Sequence, residues 1–399
     1  MKETNEYYLM HKDIAVCLME INDDGGISQV RRNSQAADHF PLGGRMNDIK
    51  FRDWWNDRAI PKTRHGVKTA LQKLGYRTTG NALVNNLALS LSDCYWIMPR
   101  GEDLDWESVN LFSNEFIDTF GDITLNEDRP IDLRNKTKFD CASSPGELQK
   151  KWCIAKDGRR YMVKGNYGDS YQQSLNECFA TILHKQQGFK NYTEYSPVKI
   201  TVTGGTSGLG CISYDFCNEN VESIPAWELL QTIKTRQNES LFYPFKEVCA
   251  SFGISDEAFT EFMDYEIMTD YLLSNTDRHM NNISLIRNPD TLEFLGFAPI
   301  YDSGNSMFYN FSYEQLYAID FNQLKVHSFI LHEKDLLKYV QNRDAIDLNK
   351  TETDMSIYEM DITERHMRIP RMKELYNRKR DNLSMFQKGK NIWKNSYVC

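Results

Sequence analysis

Asn275-Thr276-Asp277-Arg278-His279-Met280-Asn281-Asn282 is a polar stretch set between an apolar helical pattern and an extended run. Upstream, Phe259, Phe262, Met263, Ile267 and Leu272 repeat at helical spacing between Asp256 and Leu273, with Ser255 placed as an N-cap. Downstream, Ile283 to Ile286 and Glu293 to Ile300 read as two strands across Asn288-Pro289-Asp290, leading to Asp302-Ser303-Gly304. Asp277 and Asn282 therefore share one loop, five residues apart, and Asp302 follows an apolar strand 25 residues beyond Asp277. Phosphoryl transfer needs such a kit. One carboxylate orients the attacking hydroxyl, and an Asn with a second carboxylate holds magnesium on the phosphates.

The same chemistry also needs a cation on the phosphates and an acid to hold that cation in place. Trp152 to Ala155 and Arg160 to Lys164 flank Lys156-Asp157-Gly158-Arg159, and Asp-Gly between extended runs signals a hairpin. A helix follows from Ser170 to Lys185, with Leu175, Cys178, Phe179, Ile182 and Leu183 on one stripe and Gly188 at its end. Lys164 closes a hairpin strand and Glu177 lies on the next helix, the arrangement of a strand-lysine and helix-glutamate pair. The chain order Lys164, Glu177, Asp277, Asn282, Asp302 is that of a protein-kinase-like fold.

With these residues in place, Asn275 to Asn282 followed by Pro299-Ile300-Tyr301-Asp302-Ser303-Gly304 resembles the signature of HipA-like serine/threonine kinases. The resemblance covers residues 131 to about 340. It implies Asp277 as catalytic base, Asn282 and Asp302 as magnesium ligands, Lys164 on the ATP phosphates and Glu177 as its partner. It implies ATP and Mg2+ as cofactors and a Ser or Thr hydroxyl of a protein, the chain itself included, as acceptor. It also implies a toxin-like regulator with a small DNA-binding, antitoxin-like partner. The family's phosphate loop falls on Cys141-Ala142-Ser143-Ser144-Pro145-Gly146, which offers Ser143, Ser144 and Gly146 to an anion but is not glycine-rich. In relatives a serine of this loop is autophosphorylated and the loop expelled, a part open here to Ser143 or Ser144. Adenine contacts are expected from the backbone of Tyr214, Asp215, Phe216 and Cys217.

Two other readings compete. Thr203-Gly204-Gly205-Thr206-Ser207-Gly208-Leu209-Gly210 resembles the dinucleotide loop of short-chain dehydrogenases. That loop requires a helix directly afterwards, whose N-terminus holds the pyrophosphate. Cys211 to Phe216 alternates like a strand instead, and the tempting Tyr-x-x-x-Lys copy, Tyr195 with Lys199, precedes the glycines. The glycines read as a strand-to-strand turn. A small-molecule or lipid kinase would carry the same machinery, and a nucleotide-sensing pseudokinase would carry its outline.

Composition bounds the rest. The 399 residues suit two or three compact units. The expected fold class is α+β: a bilobal kinase-like fold with a β-rich N-lobe over 131–217, a helical C-lobe over 218–399, and an extra N-terminal α/β module over 1–130. That module offers no catalytic constellation; a helix is expected around Phe51, Trp54 and Trp55, another from Gly66 to Leu74, and a third from Trp106 to Phe116. The Lys- and Arg-rich tail from Arg371 to Lys394 reads as a helix with a charged outer face. The net charge of -9 argues against a surface built to grip nucleic acid. Nine scattered cysteines without a C-x-x-C pair read as free thiols, not a disulfide frame or zinc site. The first residues lack a basic stretch feeding an apolar one, and no run nears the ~18 apolar residues of a membrane span, so a cytoplasmic protein is expected.

Overall fold

The computed structural model describes residues 5–126, 139–141, 143, 146–166, 170–201, 207–235, 239–351, 354–361 and 367–393. Ser144 and the glycine turn from Thr203 to Thr206 lie outside them. The chain is a mixed α/β protein dividing into two compact units: residues 1–167, 198–234 and 284–296, then residues 168–197, 235–283 and 297–399.

In the first unit, four strands form a sheet in the order Ile27–Arg32, Ile14–Ile21, Glu6–His11, Tyr95–Pro99. Their inward side chains, among them Leu9, Val16, Met19 and Ile97, close a core with Phe51, Trp54 and Trp55 of the helix Asp48–Arg58. Asn47 caps that helix by accepting the Lys50 N–H. The expected second helix runs Val67–Leu74 and stops at Gly75, whose φ of 75° suits a residue without a Cβ. The expectation for Trp106 to Phe116 is corrected: only Trp106–Val109 is helical. The Asn110 side chain turns the chain there, its Nδ2 donating to the Trp106 carbonyl at 2.9 Å and its Oδ1 accepting the Ser113 N–H at 2.8 Å.

A second sheet runs Lys150–Ile154, Arg160–Lys164, Ser207–Tyr214, Ser196–Thr201. The Asp-Gly hairpin is present, with Gly158 at φ 84° and the Ala155 N–H bonded to the Arg159 carbonyl at 2.8 Å. The chain from Ser207 to Tyr214 is a strand, not a helix, so the dinucleotide-loop reading lacks the helix N-terminus it needs. A third sheet joins Glu222–Pro225, Ser284–Arg287 and Phe294–Phe297.

The second unit is mainly helical. Gln172–Gln187 ends at Gly188. Asp256–Leu273 begins with the Ser255 hydroxyl accepting the Ala258 N–H at 3.1 Å, as the sequence predicts. Phe245, Phe259, Phe262 and Phe297 pack around it, with the Phe262 and Phe297 rings stacked 4.1 Å apart. Each such buried ring contributes roughly 1.5–3 kcal/mol by leaving water. The C-terminal helix Ile369–Gln387 buries Met372, Leu375, Tyr376, Leu383 and Phe386, and with them Lys379, which pairs with the equally buried Glu333. Its opposite face exposes Lys373, Glu374, Arg378 and Asp381, the charged outer face expected from the sequence. The eight described cysteines are free thiols, all buried except the half-buried Cys153. No helix among the described residues is long and apolar enough to cross a membrane.

Candidate functional site

Within the second unit, the helix Asp256–Leu273 delivers the loop that carries Asp277. Ser274 leaves the helix at φ 56° and the Asn275 N–H closes back on the Asp270 carbonyl at 2.9 Å. Asn275 then works in both directions: its Nδ2 donates to Asp270 Oδ1 at 2.9 Å, and its Oδ1 accepts the Asp277 N–H at 3.1 Å. The Asp277 carboxylate is held on both oxygens. Asn305 Nδ2 donates to Oδ2 at 2.7 Å, and His327 Nδ1 lies 3.3 Å from Oδ1. Asn282 Nδ2 donates to the Asp277 carbonyl at 3.0 Å, which turns its own Oδ1 the other way. His279 braces the loop, accepting the Asn281 N–H at 3.2 Å on Nδ1, and is not itself placed as a base.

Arg278 is buried beneath this loop rather than paired with Asp277 on the surface. Its guanidinium donates twice to Asp270, at 2.8 and 3.1 Å, to the Asn282 carbonyl at 3.0 Å, to Ser303 Oγ at 3.2 Å, and to the Tyr301 carbonyl. One cation thus ties the segment bearing Asn282 to the residues on both sides of Asp302. Burial alone would ease the proton off Arg278, but the charges of Asp270, Glu266 and Asp302 overcome it and hold the group cationic. Glu266, 3.5 Å from the same guanidinium, is pushed up to about 8 by burial, against the attraction of Arg278 and with repulsion from Asp270 added.

Asp302 sits at φ 59°, a left-handed conformation that costs a non-glycine residue about 1 kcal/mol or more. The helix Gln172–Gln187 holds the segment after it. Glu177 Oε2 accepts the Ser303 N–H at 2.8 Å, and Asn176 Nδ2 donates to the Gly304 carbonyl at 2.7 Å. Tyr301 Oη donates to the Asn281 carbonyl at 2.7 Å, a further tie between the loops. The second unit therefore brings Glu177, Asp277, Asn282 and Asp302 into one bonded array. Asn282 Oδ1 and the Asp302 carboxylate are hard oxygen donors, the type Mg2+ accepts from a protein while substrate phosphates and water fill its other positions. They do not make a closed protein cage: no cluster of three or more His, Cys, Asp or Glu among the described residues could hold a metal.

The first unit holds the remaining candidates. Lys164 is 6% exposed at the end of its strand and paired in register with Cys211 on one side and Lys150 on the other. Lys150 is buried too, and a Cβ on Gly146 would lie 2.7 Å from its Nζ. Lys150 therefore lies beside Gly146, and Lys164 is its neighbour across the sheet. Gly146, at φ 87°, offers its carbonyl to Arg64, which donates from Nε at 2.9 Å and Nη2 at 2.7 Å. Burial lowers Arg64 to about 10, with Asp118 and Cys141 opposing the shift. Ser143 is buried and its hydroxyl donates to the Arg58 carbonyl at 3.0 Å. At the expected adenine segment, Tyr214 carries the Arg159 guanidinium 3.8 Å above its ring. Asp215 accepts the Cys217 N–H at 3.0 Å, and burial pushes its carboxyl up to about 8.

Sequence reasoning missed Asp270, Glu266, Asn305, His327 and Lys150. Asp270 and Glu266 lie one helical turn apart on Asp256–Leu273, a spacing that placed both on one face, but nothing local showed that face to be buried.

Neither a protein-family model nor any curated protein sequence matches the chain. Among solved structures it is similar to HipA of the Shewanella oneidensis MR-1 toxin–antitoxin system, solved in complex with HipB and operator DNA. That match has 13% identity, covers 96% of this chain and 98% of that one, and has a TM-score of 0.53. It is also similar to CtkA, a proinflammatory kinase of Helicobacter pylori, at 16% identity over 69% of this chain and 98% of that one, with a TM-score of 0.48. A Golgi casein kinase matches at 11% identity over 61% and 70% of the two chains, with a TM-score of 0.33. At these identities only the fold can be compared, and over nearly its whole length this chain has the fold of a HipA-like kinase.

Proposed function

We propose that the protein is an ATP- and Mg2+-dependent kinase that phosphorylates a Ser or Thr hydroxyl of a protein, itself among the candidates. The observation that carries this reading is the bonded array of the second unit. Arg278 joins the Asn282 segment to both neighbours of Asp302, and Asp277 lies in the same loop with its carboxylate fixed. Asp277 orients the acceptor hydroxyl and takes its proton. Asn282 and Asp302 hold the metal through oxygen. Lys164, with Lys150 beside it, neutralises phosphate charge, and Glu177 keeps the Asp302 segment in place. Bound Mg2+·ATP supplies the phosphoryl group and offsets the charge that develops on it.

A toxin-like role with a small DNA-binding partner is part of the proposal. It is supported by the likeness to a HipA that was solved with HipB and operator DNA. Incubation of a lysate with γ-labelled ATP and the purified protein tests the acceptor class. Label in protein bands supports the reading; label confined to soluble metabolites replaces it with a small-molecule kinase. ATP-dependent thermal stabilisation without any transfer replaces it with a nucleotide sensor.

A further inference from the structure

Asp277 is gripped from two sides by groups of very different character. Asn305 is locked in place: its Oδ1 accepts from Gln173 Nε2 at 2.8 Å, which aims its Nδ2 at Asp277 Oδ2. His327 arrives from 50 residues downstream, with its side chain 84% exposed. Its backbone is pinned beside the loop, the N–H donating to the Thr276 carbonyl at 2.9 Å, and its Nδ1 faces Asp277 Oδ1 at 3.3 Å. So exposed a contact contributes little to stability. Its place on the carboxylate calls for another reason.

We propose that His327 is a positioning residue for Asp277, holding the carboxylate from the side at which the acceptor arrives. This rests on Asp277 being the base. A carboxylate facing Nδ1 calls for a proton on that nitrogen, so whenever the ring is neutral the contact selects the less common tautomer and leaves Nε2 towards solvent. A carboxylate offers about four lone-pair directions. Asn305 and His327 take two and orient the rest for the hydroxyl. In the transfer, the acceptor oxygen bonds to the γ-phosphorus, the bond to the bridging oxygen of ADP breaks, and the hydroxyl proton passes to Asp277. His327 gives up no proton and acts only through the carboxylate's orientation.

Two measurements on the full chain test this. With isotope-labelled histidine, NMR should find His327 as the Nδ1–H tautomer in the wild type and reverting to Nε2–H in Asp277→Ala. In steady-state transfer assays, His327→Ala should lower kcat by about tenfold or more, as a misaligned reacting group does. The KM for ATP should stay within about twofold. His327→Asn, whose amide nitrogen replaces Nδ1–H as a donor, should restore most of the rate. An Nε2–H tautomer in the wild type, unchanged kcat in His327→Ala, or an Asn variant as slow as the Ala one overturns the inference. Wild-type transfer by Asp277→Ala would instead overturn the reading of Asp277 as base, so the two failures are distinct.

Discussion

Replacing Arg278 by Met should be among the most damaging single changes in the second unit. The guanidinium makes five hydrogen bonds: two to Asp270, and one each to Asn282, Ser303 and Tyr301. Charged hydrogen bonds contribute about 1.5–3 kcal/mol each, but their sum overstates the loss, because water and neighbours partly replace them. The better measure is the charge left behind. Asp270 is almost wholly buried, and removing its cation costs about 3–5 kcal/mol, as for other broken buried pairs. Met fills similar volume, so a cavity adds little. A rescue is also expected. Replacing Asp270 by Asn in the same chain removes the stranded charge and should recover part of the loss, whereas Asp270→Asn alone should destabilise. Urea unfolding followed by tryptophan fluorescence and far-UV circular dichroism gives the numbers. A cost below about 1 kcal/mol for Arg278→Met, or strict additivity of the two changes, would refute the reasoning.

Two further outcomes are expected. Lys150→Met should raise the KM for ATP by about tenfold while leaving unfolding cooperative, because Lys150 lies in register with Lys164 and beside Gly146; titration of initial rates against ATP checks it. Stability should also fall as pH rises from 5 to 8. In the first unit, burial and the neighbouring Asp140 push Asp118 up to about 7, and burial pushes Asp140 up to about 6. The folded state then binds protons that the unfolded state has already released, so this stabilisation is full below the ordinary carboxyl range and is lost as pH climbs through 7. Asp118 alone accounts for roughly 2.6 kcal/mol over that interval. Asp140→Asn removes the repelling charge, so the melting temperature of the variant should decline less than that of the wild type between the two pH values.

What the sequence disclosed depended on how local the cause was. The Ser255 cap, the Gly75 and Gly188 stops and the Asp157-Gly158 turn are each written in a few adjacent residues, and all four are present. The roles of Asp277, Asn282 and Asp302 were suggested by spacing, yet what fixes them was not. Nothing in the sequence shows which acid Arg278 pairs with, because sequence distance is all a string offers. Folding gives it Asp270, eight residues back on the preceding helix, with Glu266 on the same face. Asn305 and His327 reach Asp277 from 28 and 50 residues away, beyond any local pattern. The Trp106 segment failed for the opposite reason: a helix was expected on to Phe116, and the Asn110 side chain ends it by taking the Ser113 N–H. The second lysine escaped because strand register, which sets Lys150 against Lys164, depends on the turn between them.

The central claim is that Asp277 directs phosphate from ATP onto a hydroxyl. Incubating the pure chain with ATP and Mg2+ and mapping phosphosites by mass spectrometry tests it most directly, with Asp277→Asn and Asp302→Ala run alongside. Phosphate is expected on one or more serines or threonines of the wild type or an added protein acceptor, Ser143 and Ser144 among the sites to inspect. None above background is expected in either variant, with far-UV circular dichroism unchanged. Equal phosphorylation by the wild type and the Asp277→Asn chain would contradict the claim.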